Sequence, residues 1–285
     1  MTAIWDLLLE PWSLPFMRRA FLIGITCGVL CGVIGSFIVL RGMAFIGEAV
    51  AHSVFPGVAV SYALGADLIL GGAVAGVATT IVIAAFSQNR RLKEDTVIGV
   101  FFTCAFGLGI VIVSTQSGYT GDLASFLFGQ ILAVSDTDVV TVAIASAVVV
   151  AVALALRKEL VAVSLDRETA AAAGLPVFRL DLALYVMVTA AIVFSLQAIG
   201  NILVLGMLIT PAAAARLFTD RLGTMIAAAS GIGATGALVG LYFSYLLDLA
   251  AGGLIVVVLT LFFVAAYLLA PRHGLVLKRL RAARA

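Results

Sequence analysis

Apolar runs of about twenty residues recur along almost the whole sequence, and nothing limits the fold of such a chain more. "LIGITCGVLCGVIGSFIVL" (22–40) and "AGGLIVVVLTLFFVAAYLLA" (251–270) carry no charge at all. About 20 apolar residues cross the hydrocarbon core as a helix. Inside lipid every backbone group needs an internal partner, so only helices and closed barrels span. No alternating strand pattern repeats along the chain, which leaves helices. Composition agrees: 63% of the residues are hydrophobic and 11% are charged, against roughly 25% charged in soluble domains. The expected fold is an all-α polytopic membrane protein, a single membrane domain over 1–285. About nine transmembrane helices are expected, near 20–40, 44–64, 67–86, 96–115, 138–156, 181–199, 201–217, 223–247 and 251–270. The sixth and seventh read as one helix pair broken at Asn201. "LASFLFGQILAV" (123–134) is too short to span and reads as a re-entrant extracytoplasmic helix.

Charge orients the spans. With nine of them, Arg41, Arg90, Arg91, Lys93, Arg157, Lys158, Arg167, Arg179, Arg216, Arg221 and the basic tail (271–285) fall on one side. The positive-inside rule makes that side the cytoplasm. The opposite loops hold Asp67, Asp122, Asp136, Asp138 and Asp248, without Lys or Arg. Arg18 and Arg19 alone disagree, and an even count of eight or ten spans is the alternative. Residues 1–19, with Trp5 and Trp12, read as an interfacial segment.

Within the second span, "GEAVAHSVFPG" (47–57) puts Glu48 and His52 four residues apart, on one helix face. A carboxylate at mid-membrane costs about 2.5–3.5 kcal/mol or more, so it faces a partner or a watered cavity. One reading is a Glu–His hydrogen bond that locks two helices. The other is a cation site, since imidazole nitrogen and carboxylate oxygen together suit zinc or manganese. Pro56 lacks an N–H one turn later and leaves the His52 carbonyl for a cavity. One helix supplies two ligands, so a complete site draws others from elsewhere, including a second copy of the chain.

The longest polar run is "RKELVAVSLDRETAAAAGLPVFRLD" (157–181). Asp166 can cap a short helix that ends at Gly174 and is stopped by Pro176. A capped helix in a cytoplasmic loop, 157–180, suits docking by a soluble partner; a plain connector is the simpler alternative.

Other chemistry is excluded. There is no GxxxxGK[ST] phosphate loop, so the chain does not hydrolyse nucleotide itself, and "EAVAH" lacks the second histidine of a zinc protease. Cys27 and Cys31 share a face beside Gly24, Gly28 and Gly32, where small residues serve close helix packing better than a soft metal. Gly236 and Gly240 form a second such pair. The basic tail reads as a topology anchor at the lipid surface, not a nucleic-acid patch.

Several stretches together resemble the membrane permease subunit of ABC-type manganese/zinc importers. They are "GVLCGVIGSFIVLRGMAFIGEAVAHSVFPGVAVSYALG" (28–65), "EDTVIGVFFTCAFGLGIVIVS" (94–114), "LASFLFGQILAVSDTD" (123–138), "LDRETAAAAGLP" (165–176) and "SLQAIGNILVLGMLITPAAAARL" (195–217), in order along nearly the whole chain. The resemblance implies a dimer of membrane subunits in the cell membrane, two cytoplasmic ATP-binding subunits and an extracytoplasmic metal-binding protein. It implies no permanent cofactor, the divalent metal being cargo. Glu48 and His52 are then the metal site of the pathway, where this family usually carries Asp at the acidic position. Asp166, Arg167, Glu168, Ala170, Gly174, Leu175 and Pro176 match the ATPase-coupling helix. Pro56, Gln197, Asn201 and Pro211 lie along the pathway. The expected function is a non-enzymatic permease that moves manganese or zinc, or iron, inward on a separate subunit's ATP hydrolysis. An ion-coupled secondary metal transporter is the alternative, although no convincing pair of repeated halves is visible. An intramembrane metalloenzyme fails for want of a third ligand and a general base in one constellation.

Overall fold

The computed structural model describes residues 10–88, 91–114 and 131–270. The chain is all-α, and no strand occurs among the described residues. The long helices are α1 (Pro15–Arg41), α2 (Ile46–Leu64), α3 (Leu68–Phe86), α4 (Glu94–Ser114) and α5 (Asp136–Ala155). Two short ones follow, α6 (Arg157–Leu165) and α7 (Arg167–Ala172), and then α8 (Val177–Ile199), α9 (Asn201–Phe218), α10 (Leu222–Leu247) and α11 (Ala251–Leu269). Every expected span falls on one of the long helices. Among the described residues seven are long and apolar enough to cross a membrane. The expected break lies at Gly200, which separates α8 from α9 with φ +79°. Of the expected re-entrant helix only residues 131–134 lie within the described residues, and Ile131–Ala133 form a single 3-10 turn. The basic tail, 271–285, and residues 1–9 lie outside them.

The chain divides into two compact units. The first comprises 1–36, 125–147 and 197–285. Its core is a seam of small residues between α1 and α10. A methyl group at Gly28 would stand 2.6 Å from the backbone of Gly233 and Ala234, and one at Gly32 would stand 2.5 Å from that of Ser230. Such backbone approach compensates for the missing hydrophobic force between helices in lipid. Cys27 and Cys31 are fully buried beside this seam, as small packing residues would be. Gly236 and Gly240 meet Leu259 and Ile255 of α11 in the same manner. Arg19, expected to sit in an interfacial segment, lies inside α1 and pairs with Asp136 at the start of α5, 3.6 Å away. The charge that contradicted the orientation pattern is thus matched by an acid of the expected outer side.

The second unit comprises 37–124 and 148–196. Here α2 packs against both α3 and α4. Glycine again sets the approach, since a methyl at Gly57 would stand 2.2 Å from the Gly71 carbonyl of α3. The polar loop after α5 holds two helices where one was expected. The extra one, α6, buries Leu160 and Val163, three residues apart on one face.

Candidate metal site and docking helix

Helix α2 begins at Ile46, so Glu48 lies in its first turn, where the helix dipole favours an anion. One turn later His52 presents Nε2 to Glu48 Oε1 at 3.0 Å. The pair is only partly buried, with 19% of the His52 side chain and 36% of the Glu48 side chain exposed. Helix α4 fixes the imidazole from the other side. The rings of Phe102 and Phe106, one turn apart, stand 5.1 and 5.0 Å from it, one tilted and one edge-on. Such aromatic contacts hold a ring in one orientation at little cost. Pro56, inside α2, has no N–H to give the His52 carbonyl.

The arrangement brings together one nitrogen and one carboxylate. Among the described residues no group of three or more His, Cys, Asp or Glu side chains gathers as a metal cage. Of the other expected pathway residues, Asn201 and Pro211 are buried on α9, in the first unit, and Asn201 Oδ1 is buried with no hydrogen-bond partner among the described residues. The Gln197 side chain lies outside the described residues.

The loop helix forms as its sequence dictates. Asp166 caps α7, accepting from the backbone N–H of Glu168 at 2.9 Å and of Thr169 at 3.2 Å, and from the Thr169 hydroxyl. At the other end Gly174 turns left-handed with φ +83°. Its N–H then donates to the Ala171 carbonyl and that of Leu175 to the Ala170 carbonyl, closing the helix end. Ala170 is buried and Leu175 half-buried, while Glu168 and Pro176 face out. Exposed apolar groups flank the helix, with Leu165 at 75% and Phe178 at 43%.

Sequence reading missed what lies behind α7. Asp181, only 1% exposed, accepts from Arg41 Nη2 at 2.6 Å, and also from Arg167 Nη2. Arg167 donates in addition to Glu94, the first residue of α4. Gln88 Oε1 accepts from Arg167 at 3.4 Å, and Arg41 Nε donates to Ser164 Oγ at 3.1 Å. Arg41, Gln88, Glu94, Ser164 and Arg167 line a cavity of about 570 Å³, with Ser87 and Glu168 among its walls. The available signal was charge at span ends: Arg41 closes the first span, and Asp181 and Glu94 open later ones.

The profile of the ABC 3 transport family matches residues 13–270. The chain is 42% identical over 266 residues to the manganese transport system membrane protein MntC of Listeria monocytogenes, covering 93% of this chain and 95% of that one. It is 37% identical to the chelated iron transport system membrane protein YfeC of Yersinia pestis, over 97% of this chain and 94% of that one. Among solved structures, PsaBC from Streptococcus pneumoniae in complex with Fab superposes with a TM-score of 0.83 at 35% identity, over 98% of this chain and 99% of that one. The chain therefore belongs to the ABC 3 transport family, as a multi-pass, all-helical protein of the cell membrane.

Proposed function

We propose that this chain is the permease of an ABC importer that carries a divalent transition metal, manganese foremost, into the cytoplasm. The observation that carries the reading is the Glu48–His52 pair, a half-open nitrogen–oxygen couple on α2 of a transport-family chain. Relatives named for manganese and for chelated iron support the class of cargo. Zinc fits the same ligands. The ion sits between the imidazole nitrogen and the carboxylate oxygens, and the carboxylate offsets part of its charge. Two ligands from each of two identical permease chains complete a four-coordinate or larger shell. An extracytoplasmic binding protein delivers the metal, and two cytoplasmic ATP-binding subunits dock on α7 from the side where the basic residues lie.

Uptake of radioactive manganese into vesicles that hold permease, ATP-binding subunit and binding protein tests this. ATP inside the vesicles is expected to drive uptake with no ion gradient present. Uptake driven by a proton or sodium gradient without ATP would identify a secondary transporter instead.

The docking assignment has its own check. Gly174→Val forces a β-branched residue into a left-handed conformation, at a cost of roughly 1–2 kcal/mol or more at the helix end. Co-purification with the ATP-binding subunit is expected to fall several-fold, with membrane insertion unchanged. Wild-type recovery of the complex would place docking elsewhere.

A further inference from the structure

The docking helix and the metal site are separate features of the sequence, but in the second unit one helix touches both. At its first residue, Glu94, α4 binds Arg167 of α7. Further along, its Phe102 and Phe106 hold the ring of His52. Eight and twelve residues of helix separate these contacts, about 12 and 18 Å at 1.5 Å per residue. Between them α4 contains no proline.

Two further observations bear on how such a helix moves. Only 22% of its span-forming window is buried within the chain, against 72% for α1. A lightly packed helix shifts at lower cost than one held in a tight seam. Its lower end, by contrast, is fastened. Arg167 binds Glu94 and Asp181 together, and Asp181 also holds Arg41, whose side chain is 4% exposed. Movement of α7 therefore pulls on α4 at Glu94, while Asp181 ties the same guanidinium to α8 and to the end of α1.

We infer that α4 is the transmission rod of the transporter: the Arg167–Glu94 pair is its joint to the docking helix, and the Phe102–Phe106 clamp is its joint to the metal-binding imidazole. The inference rests on reading α7 as the ATPase dock and Glu48–His52 as the metal site. A displacement of the rod along its axis rotates or releases the imidazole, which loosens the metal on the stroke that follows ATP binding. Coupling of this kind needs packed side chains and a rigid element in series, and both are present. Glu94 is a positioning residue, since it acts through α4 and touches neither metal nor nucleotide.

The test uses the full complex of permease, ATP-binding subunit and manganese-loaded binding protein in vesicles. Three quantities are read: recovery of the complex, ATP hydrolysis, and manganese moved per ATP hydrolysed. Glu94→Gln removes the charge and keeps the shape. The complex is expected to assemble and hydrolyse ATP, while manganese moved per ATP falls at least tenfold. Glu94→Asp, which keeps the carboxylate, is expected to retain at least half of the wild-type ratio. At the other joint, Phe106→Leu is expected to lower the ratio as Glu94→Gln does. Leu108→Ala, on an exposed position of α4, leaves it unchanged.

A wild-type ratio in Glu94→Gln overturns the inference. So does collapse of the complex in that variant, which would make the pair a plain structural tie, and so does a Leu108→Ala defect equal to that of Phe106→Leu. The underlying reading fails separately. If Glu94→Gln uncouples while Gly174→Val is silent, the dock on α7 falls, and with it the joint at Arg167, although Glu94 still matters for coupling. If Gly174→Val breaks assembly while Glu94→Gln keeps its ratio, the dock stands and the rod falls.

Discussion

His52→Ala abolishes metal uptake and leaves the chain folded: that is the expected result with the largest functional effect. Removing a residue that merely orients a metal ligand commonly costs 10–100-fold in affinity or activity. Loss of a ligand itself should exceed this, so uptake falls by at least about 100-fold. Folding survives because His52 is only partly buried, with 19% of its side chain exposed. Glu48→Gln keeps volume and hydrogen bonding to His52 but removes the charge that balances the cation, and uptake should fall nearly as far. Glu48→Asp keeps the carboxylate one methylene shorter and is expected to transport, with an altered ranking of manganese against zinc. Uptake of both metals in the vesicle assay, beside size-exclusion profiles of each variant, measures all three. Near-normal uptake by both His52→Ala and Glu48→Gln would reduce the pair to a helix lock.

Gly35→Ala carries the largest expected loss of stability. The added methyl would stand 1.8 Å from the Leu208 carbonyl oxygen, a backbone atom of α9. A flexible side-chain tip can swing aside, but a helix backbone cannot without parting α1 from α9. Overpacking typically costs 1–3 kcal/mol, and contact this short against backbone should reach at least about 3 kcal/mol. Folded protein recovered in detergent should drop severely, with a clear fall in unfolding temperature. Gly231→Ala is the matched control. Its methyl meets nothing within 4 Å, and helix propensity alone predicts a gain of up to about 1 kcal/mol. Equal behaviour of the two variants would show that α1 and α9 do not approach as described.

The helices were legible because lipid demands long uninterrupted apolar runs, and those are local in sequence. The break at Gly200 was legible in the same way, as was the helix capped by Asp166 and ended at Gly174. The Glu48–His52 pair could be read because its partners sit one helical turn apart. What the sequence concealed is non-local. Nothing near Asp181 announces that Arg41, 140 residues earlier, will lie against it, nor that Glu94 and Arg167 meet across 73 residues. The rings that clamp His52 were hidden too, since phenylalanine is unremarkable in an apolar span. Helix α6 was overlooked because its two buried residues give too short a pattern to register.

The separation between Arg41 and Asp181 also bears on how the protein is made. The two guanidinium and carboxylate groups that end up sealed together leave the ribosome 140 residues apart. At about 5–20 residues per second, the arginine waits roughly 7–30 s for its acid. Through that interval the end of the first helix keeps its charge in water or headgroups. The tie closes only when α8 has entered the bilayer. Nascent chains stopped before Asp181 should therefore turn over quickly, and those stopped soon after it should persist, which makes this one carboxylate a timer for membrane assembly.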